Sequence, residues 1–182
     1  MILQTERMVL RPWRDTDAES LFEFAQDERV GPIAGWPPHQ SVEESAEVIK
    51  TVFAQPGVFA VTLKGQDKAI GLVGLLLGTA SNFDIGRDEA EVSYWIGVPF
   101  WGRGLIPEAV REILRYGFDD LKLQAIWSGY FDNNTQSKHV LDKCGFTYQF
   151  TQESVQTFME NAKRTEQLCR ITKGEWQQLQ AE

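Results

Sequence analysis

The stretch Trp95-Ile-Gly-Val-Pro-Phe-Trp-Gly-Arg-Gly-Leu-Ile-Pro-Glu-Ala109 decides how this chain reads. It begins inside Glu89 to Val98, a segment rich in Val, Tyr, Trp and Ile that predicts a central strand. It ends on a helix, because Ile106, Ala109, Val110, Ile113, Leu114 and Phe118 recur at spacings of three and four. Proline is accepted in a first helical turn and breaks an interior, so Pro107 fixes where that helix starts. A strand therefore delivers a glycine-bearing turn straight onto a helix. Amides in such a turn, with the unpaired amides of the first helical turn, form a nest for an anion. Gly102 and Gly104 let backbone approach a phosphate closely, and Arg103 adds a positive charge at the rim. A pyrophosphate suits this loop, although the same glycines would serve an ordinary strand-to-helix turn.

Working outward, Val9 and Leu10 lie in a short strand that ends before Pro12. Thr16-Asp-Ala-Glu19 reads as a capping box opening a helix on Ala18, Leu21, Phe22 and Ala25. Gly31 to His39, with three prolines and two glycines, reads as a loop. Ser41-Val-Glu-Glu44 is a second capping box, before a helix carrying Val48, Ile49, Val52 and Phe53. Phe59, Val61 and Leu63 alternate as a strand, and the apolar run Ala69 to Gly78 suits a central one. Beyond the glycine loop, Gln124 to Tyr130 predicts a strand. Asn133 or Asn134 caps a helix with Val140, Leu141 and Cys144, and Gly145 ends it. Two further strands, near Phe146 to Thr151 and Gln167 to Thr172, precede a short helix at Gly174 to Leu179. No repeat or linker divides the chain, so residues 1–182 are expected to form one domain.

Eighteen basic and 26 acidic side chains give a net charge of −8, which repels nucleic acid and anionic lipid and tolerates cationic partners. The start lacks a signal-peptide pattern, and the longest apolar stretch, Ala69 to Leu77, is about half of the roughly 20 residues a membrane helix needs. Cys144 and Cys169 form no CxxC pair, and His39 and His139 are isolated, so no metal-ligand spacing is present. A reduced cytoplasmic protein with core thiols and surface histidines is expected.

Two more motifs extend the glycine loop. Asn134-Thr-Gln-Ser137 opens the helix that ends Lys143-Cys-Gly-Phe146, and the chain begins Thr5-Glu-Arg-Met-Val-Leu-Arg-Pro, followed by Asp17-Ala-Glu. Together these resemble the GNAT superfamily of N-acetyltransferases, in the branch of ribosomal-protein N-terminal (alanine/serine) acetyltransferases and relatives acting on small amines. The opening is similar to the branch's TERLxLRxxxxxDA start, Trp101 to Ile106 to the (Q/R)xxGx(G/A) pyrophosphate loop, and Asn134 to Phe146 to its NxxSxxxxxkxGF element. The three occur in the expected order over nearly the whole chain. Trp101 replaces Gln or Arg, Ile106 replaces Gly or Ala, and Pro107 stands where Thr is frequent. Ile106 is expected to point into the core.

The resemblance implies an α/β (α+β type) fold: one mixed, mostly antiparallel sheet with helices on both faces, and a cofactor cleft between two splayed parallel strands. It implies acetyl-CoA as co-substrate, without a metal. Its pantetheine arm would meet backbone from Ile96 to Val98, and its pyrophosphate would meet Trp101, Gly102, Arg103, Gly104, Leu105 and Ile106. Asn134 would bind the cofactor or orient the site, and Ser137 would reach the thioester sulfur. Glu91, with Glu89 as a weaker alternative, would be the base or the carboxylate that positions the amine, and Trp36 would border the acceptor. The reaction implied is direct attack by a primary amine, on a protein N-terminus or a small molecule, with Cys144 as core filler. Homodimers are frequent among such relatives. An acyl-CoA-binding regulator of the same fold is the second reading, motivated by Ile106 and the unassigned base.

Overall fold

The computed structural model describes residues 1–159 and 163–181. The elements run β1 (Leu3–Gln4), β2 (Met8–Arg11), α1 (Ala18–Ala25), α2 (Gly31–Ala34), α3 (Val42–Val48), β3 (Val58–Leu63), β4 (Ala69–Leu77) and β5 (Glu89–Ile96). Then follow α4 (Leu105–Arg115), β6 (Ala125–Phe131), α5 (Thr135–Lys143), β7 (Thr147–Gln156), β8 (Lys163–Thr172) and α6 (Lys173–Ala181). They build one eight-stranded sheet in the order β1-β2-β3-β4-β5-β6-β8-β7. Every neighbouring pair is antiparallel except β5 and β6. No helix is long and apolar enough to cross a membrane among the described residues.

That one parallel pair is short. Glu89, Ala90 and Glu91 face Ala125, Ile126 and Trp127, and then the strands part. Beyond the parting, a buried hydroxyl still ties them, because Ser128 Oγ donates to the Val92 carbonyl at 2.9 Å. The sheet buries one face against α4, α5 and α6 and the other against α1 and α3. The stripe read from α4 does the work on the first face: Ile106, Ala109, Val110, Ile113 and Leu114 are all buried. Each of the branched side chains among them contributes about 1.5–3 kcal/mol when removed from water. Trp176 closes that layer against Phe118, ring centroids 5.3 Å apart.

Several local expectations yield to longer-range contacts. Thr16 does not cap α1. The helix is entered through a 3₁₀ turn at Asp15–Asp17, and the Asp17 carboxylate instead takes Arg11, with Nη1 and Nη2 each 2.8 Å from its oxygens. Ser41 does cap α3, accepting from the Glu44 amide at 3.0 Å, but Glu44 reaches back to the amide of Gln40 rather than Ser41. Gly31 to Ala34, expected as loop, forms one helical turn closed by Gly35 in the left-handed region. Trp127, expected in the core, is half-buried, with the Arg170 guanidinium over its ring at 5.3 Å.

Candidate active site

Where β5 and β6 part, two cavities meet. The first, about 310 Å³, runs along the start of α4 and α5 and is lined by Ile96, Phe100, Trp101, Gly102, Gly104, Leu105 and Ile106. The second, about 510 Å³, opens on the α1 and α3 side and is lined by Trp36, His39, Glu91, Trp95, Phe131 and Glu166 among others. Ala34, Tyr94, Trp95, Asn134 and Ser137 line both. Strand alternation explains the division: Tyr94 and Ile96 face the α4 layer, whereas Glu91, Ser93 and Trp95 face the larger cavity.

The first cavity is bordered by a turn with the backbone geometry of an anion nest. Gly102 and Gly104 have φ of +73° and +71°, a region in which an L side chain is strained, and nothing would meet a Cβ at 102 within 4 Å. Gly104 is the N-cap of α4, and the first helical bond runs from the Glu108 amide to its carbonyl. The amides of Gly102, Arg103, Gly104, Leu105 and Ile106 consequently find no acceptor among the described residues. Consecutive free amides at the positive end of a helix dipole fit a pyrophosphate. Ile106 points into the core, 6% exposed, so its side chain does not crowd the nest.

Other loop residues have structural duties. The Trp101 indole N–H donates to the Ile96 carbonyl at 2.9 Å, tying the loop to the end of β5. Val98 stands outside the cavity lining, and its carbonyl accepts from the Trp101 amide at 3.1 Å and closes a tight turn. Arg103 also lies beside the lining, its guanidinium 5.4 Å from the centre of the Phe100 ring. Sequence reasoning missed Arg7, whose Nη1 donates to the Arg103 carbonyl at 2.9 Å and whose Nε pairs with Glu108 at 2.7 Å. That pairing holds the N-terminal segment against the loop, and Thr5 also donates to Glu108.

At the junction, Asn134 caps α5 by accepting from the Ser137 amide at 3.1 Å. The Ser137 hydroxyl lies 2.8 Å from that of Tyr94, and Tyr94 also reaches the Ser137 carbonyl at 3.1 Å. Burial pushes the Tyr94 phenol well above its ordinary value, so it stays protonated. Tyr94 was legible only as a strand residue. Its period-two partners Val92 and Ile96 show which face it occupies, but not the hydroxyl it meets.

In the larger cavity, Trp36 lines the wall and packs edge-on against Trp95 with centroids 5.9 Å apart. Glu91 is buried, and its carboxylate accepts from Ser81 Oγ at 2.8 Å, the Asn82 amide at 2.6 Å and Asn82 Nδ2 at 3.0 Å. Glu89 lies outside the lining and accepts from the Gly86 amide at 2.8 Å. His39 corrects an expectation: instead of lying at the surface it is 8% exposed, with Nδ1 2.8 Å from Ser45 Oγ. Desolvation lowers its pKa, which favours the neutral ring. His139 is exposed as expected. Among the described residues no lysine or arginine lines this cavity, whereas Glu44, Glu91 and Glu166 do. Both thiols are buried, and burial pushes Cys144 and Cys169 each up to about 11, so neither is a thiolate at neutral pH. Among the described residues no cluster could hold a metal ion.

Comparison with known proteins bears on the family and the fold. A family model described as an acetyltransferase (GNAT) domain matches residues 7–147. An N-acetyltransferase of Bacillus licheniformis, p20, itself uncharacterized, is 30% identical over 149 residues, which cover 79% of this chain and 81% of that protein. A candidate ribosomal N-acetyltransferase of Bacillus subtilis, YdaF, is 33% identical over 86 residues, 46% of this chain and 47% of that one. A solved GNAT-family acetyltransferase from Bacillus anthracis superposes with a TM-score of 0.80 at 20% identity, covering 96% of this chain and 99% of its own, a likeness of fold. With the family model spanning well over half its length, and an anion nest placed where strands β5 and β6 part, the chain belongs to the GNAT family of N-acetyltransferases.

Proposed function

We propose that this protein transfers the acetyl group of acetyl-CoA, the co-substrate of its family, to a cationic primary amine seated in the larger cavity. The observation that carries this reading is the meeting of two cavities at Tyr94, Asn134 and Ser137, one bordered by free backbone amides and the other lined, among the described residues, by carboxylates without a lysine or arginine. Acetyl-CoA supplies an activated acyl group, and the residues of this chain do the rest. The amides of 102 to 106 hold the diphosphate. Ser137, backed by the Tyr94 hydroxyl, offers a proton donor at the junction. Trp36 and Trp95 form an aromatic wall that suits a cation carrying an apolar group.

The attacking nitrogen must be neutral. Near pH 7 this costs roughly 1 kcal/mol for an α-amine of pKa about 7.7–8.0 and roughly 4.6 kcal/mol for a lysine-like amine at about 10.4. Glu91, buried and held by three donors, supplies negative charge that draws an ammonium group into the cavity. Two buried, protonated thiols leave direct attack as the simplest route, without an acyl-enzyme. A regulator that only bound acyl-CoA would have no use for a second cavity of about 510 Å³, so transfer is favoured over that reading.

The test is calorimetric titration with acetyl-CoA, using ATP as control. It is followed by thiol-release assays with phenylethylamine, spermidine, and tetrapeptides beginning with alanine or serine. Selective acetyl-CoA binding and turnover of one of these amines are expected. Binding without turnover of any of them would overturn the catalytic reading.

A further inference from the structure

We propose that Glu166, on β8, takes the proton from the ammonium group of the acceptor, while Glu91 across the strand parting holds that group in place. The proposal rests on the acetyl-transfer reading and assigns its base to a residue that the sequence motifs do not contain.

The placement follows from the sheet. β8 pairs antiparallel with β6, Glu166 opposite Phe131 and Leu168 opposite Gly129. The Glu166 side chain lies over Gly129, so that a Cβ at that position would collide with Oε1. Gly129 is thus the residue that makes room for the carboxylate. It stands two residues past Trp127, the last residue of β6 paired with β5, whose partner there is Glu91. The two carboxylates therefore flank the point where the parallel strands part, and both line the larger cavity.

Their surroundings differ. Glu91 accepts three hydrogen bonds from Ser81 and Asn82. The Glu166 side chain, half-buried, has no hydrogen-bond partner among the described residues. A poorly solvated carboxyl without a partner awaits a donor from a ligand. Burial first, and then the charge of Glu91, push Glu166 up to about 7. A base poised near the working pH accepts a proton efficiently and gives it up again.

The other titratable groups do not compete. Glu44 and His39 line the cavity from the α3 side, with the His39 ring favoured neutral by burial. Arg164, two residues along β8, is committed to the Phe131 ring at 5.4 Å and to the Pro32 carbonyl at 2.6 Å.

The balance is simple. One ammonium proton passes to the Glu166 carboxylate, and the freed nitrogen lone pair forms the C–N bond to the acetyl carbonyl carbon. The C–S bond breaks with its electrons on sulfur, and a second proton from nitrogen neutralises that thiolate by way of Ser137. Glu166 returns its proton to solvent.

Two readouts test this. The first needs no turnover: protein labelled with 13C at the glutamate carboxyl is titrated by NMR, and the Glu166 resonance is assigned by its loss in Glu166→Gln. It is expected to titrate near 7 and to move down in Glu91→Gln. The second is the pH profile of kcat/KM with the amine of the panel that turns over fastest. Glu166→Gln is expected to lower kcat/KM by about 10²-fold or more, erase the rise near pH 7, and leave acetyl-CoA affinity unchanged. A Glu166 resonance that titrates at the ordinary value of about 4.3 would overturn the proposal. So would a Glu166→Gln enzyme with the wild-type profile. Wild-type protein that acetylates no amine would sink the function itself along with this role, whereas turnover indifferent to Glu166 would sink this role alone.

Discussion

The hydroxyl of Tyr94 lies 2.8 Å from that of Ser137, linking the middle of β5 to the first turn of α5 where the two cavities join. Burial keeps Tyr94 protonated, and either hydroxyl of this pair can donate to the other. If the pair works as one relay, Ser137→Ala should lower kcat by about 10²-fold, within the range for a lost proton donor. Tyr94→Phe should lower it less and leave acetyl-CoA affinity unchanged. The double variant should be no slower than Ser137→Ala, since residues that act as a unit are not additive. Steady-state kinetics of the four proteins decide this, and additive losses would separate the two hydroxyls.

A second prediction concerns the fold. Arg11 and Asp17, with side chains 3% and 7% exposed, form a two-pronged ion pair beneath the entry to α1. Removing one partner strands the other charge away from water, so Asp17→Ala should cost about 3–5 kcal/mol of stability. Asp67, the other carboxylate on Arg11, is 69% exposed and cannot replace it, so Asp67→Ala should cost about 1 kcal/mol or less. Urea denaturation curves measure both. Equal losses would mean that burial is not what makes the Asp17 pair matter.

The same pair shows what the sequence hid. Thr16-Asp-Ala-Glu19 has the spacing of a capping box, but Arg11 and the Arg14 amide claim Asp17 first. A local pattern cannot foresee a charge supplied by a neighbouring strand. Elements whose signal is internal were legible: the α4 stripe, the Asn134 cap, the Ser41 cap and strand β5 all appear where they were expected. The run of free amides from 102 to 106 was legible because a glycine-bearing turn entering a helix leaves consecutive backbone N–H groups unpaired. Glu166 was not, since its meaning arises from a register in which Gly129, 37 positions earlier, leaves space for it. His39 read as a surface residue because its hydrogen-bond partner, Ser45, belongs to the next helix.

The nest itself can be challenged by charge. Gly104→Glu would set a carboxylate among amides that await a phosphate, and should weaken acetyl-CoA binding by about tenfold or more, as expected for reversing a favourable helix-terminus charge contact. Any side chain here is also strained, because φ is +71°. Gly104→Ala shares that strain without the charge and should lose less affinity. Calorimetry on both variants, each first checked for a cooperative melt, separates the two effects. Equal affinities for acetyl-CoA in Gly104→Glu and wild type would place the diphosphate elsewhere.

Glu166 also carries a stability signature that is independent of turnover. Its carboxyl is raised to about 7 in the folded protein by burial and by Glu91, against about 4.3 for an unfolded glutamate. The folded state therefore holds this proton more tightly than the unfolded state does. By linkage, the stability gained from that difference is fully present below about pH 4.3 and is lost as pH rises toward 7. Above 7 both states are ionised, and the folded protein keeps a constant penalty for a poorly solvated charge. Glutamine at 166 is neutral at every pH and lacks this penalty. The Tm of Glu166→Gln relative to wild type should therefore rise between pH 5 and pH 8 and level off above it. Thermal melts at pH 5, 6, 7 and 8 measure the difference, and a difference that stays flat across this range would show that Glu166 ionises as freely in the folded cavity as in water.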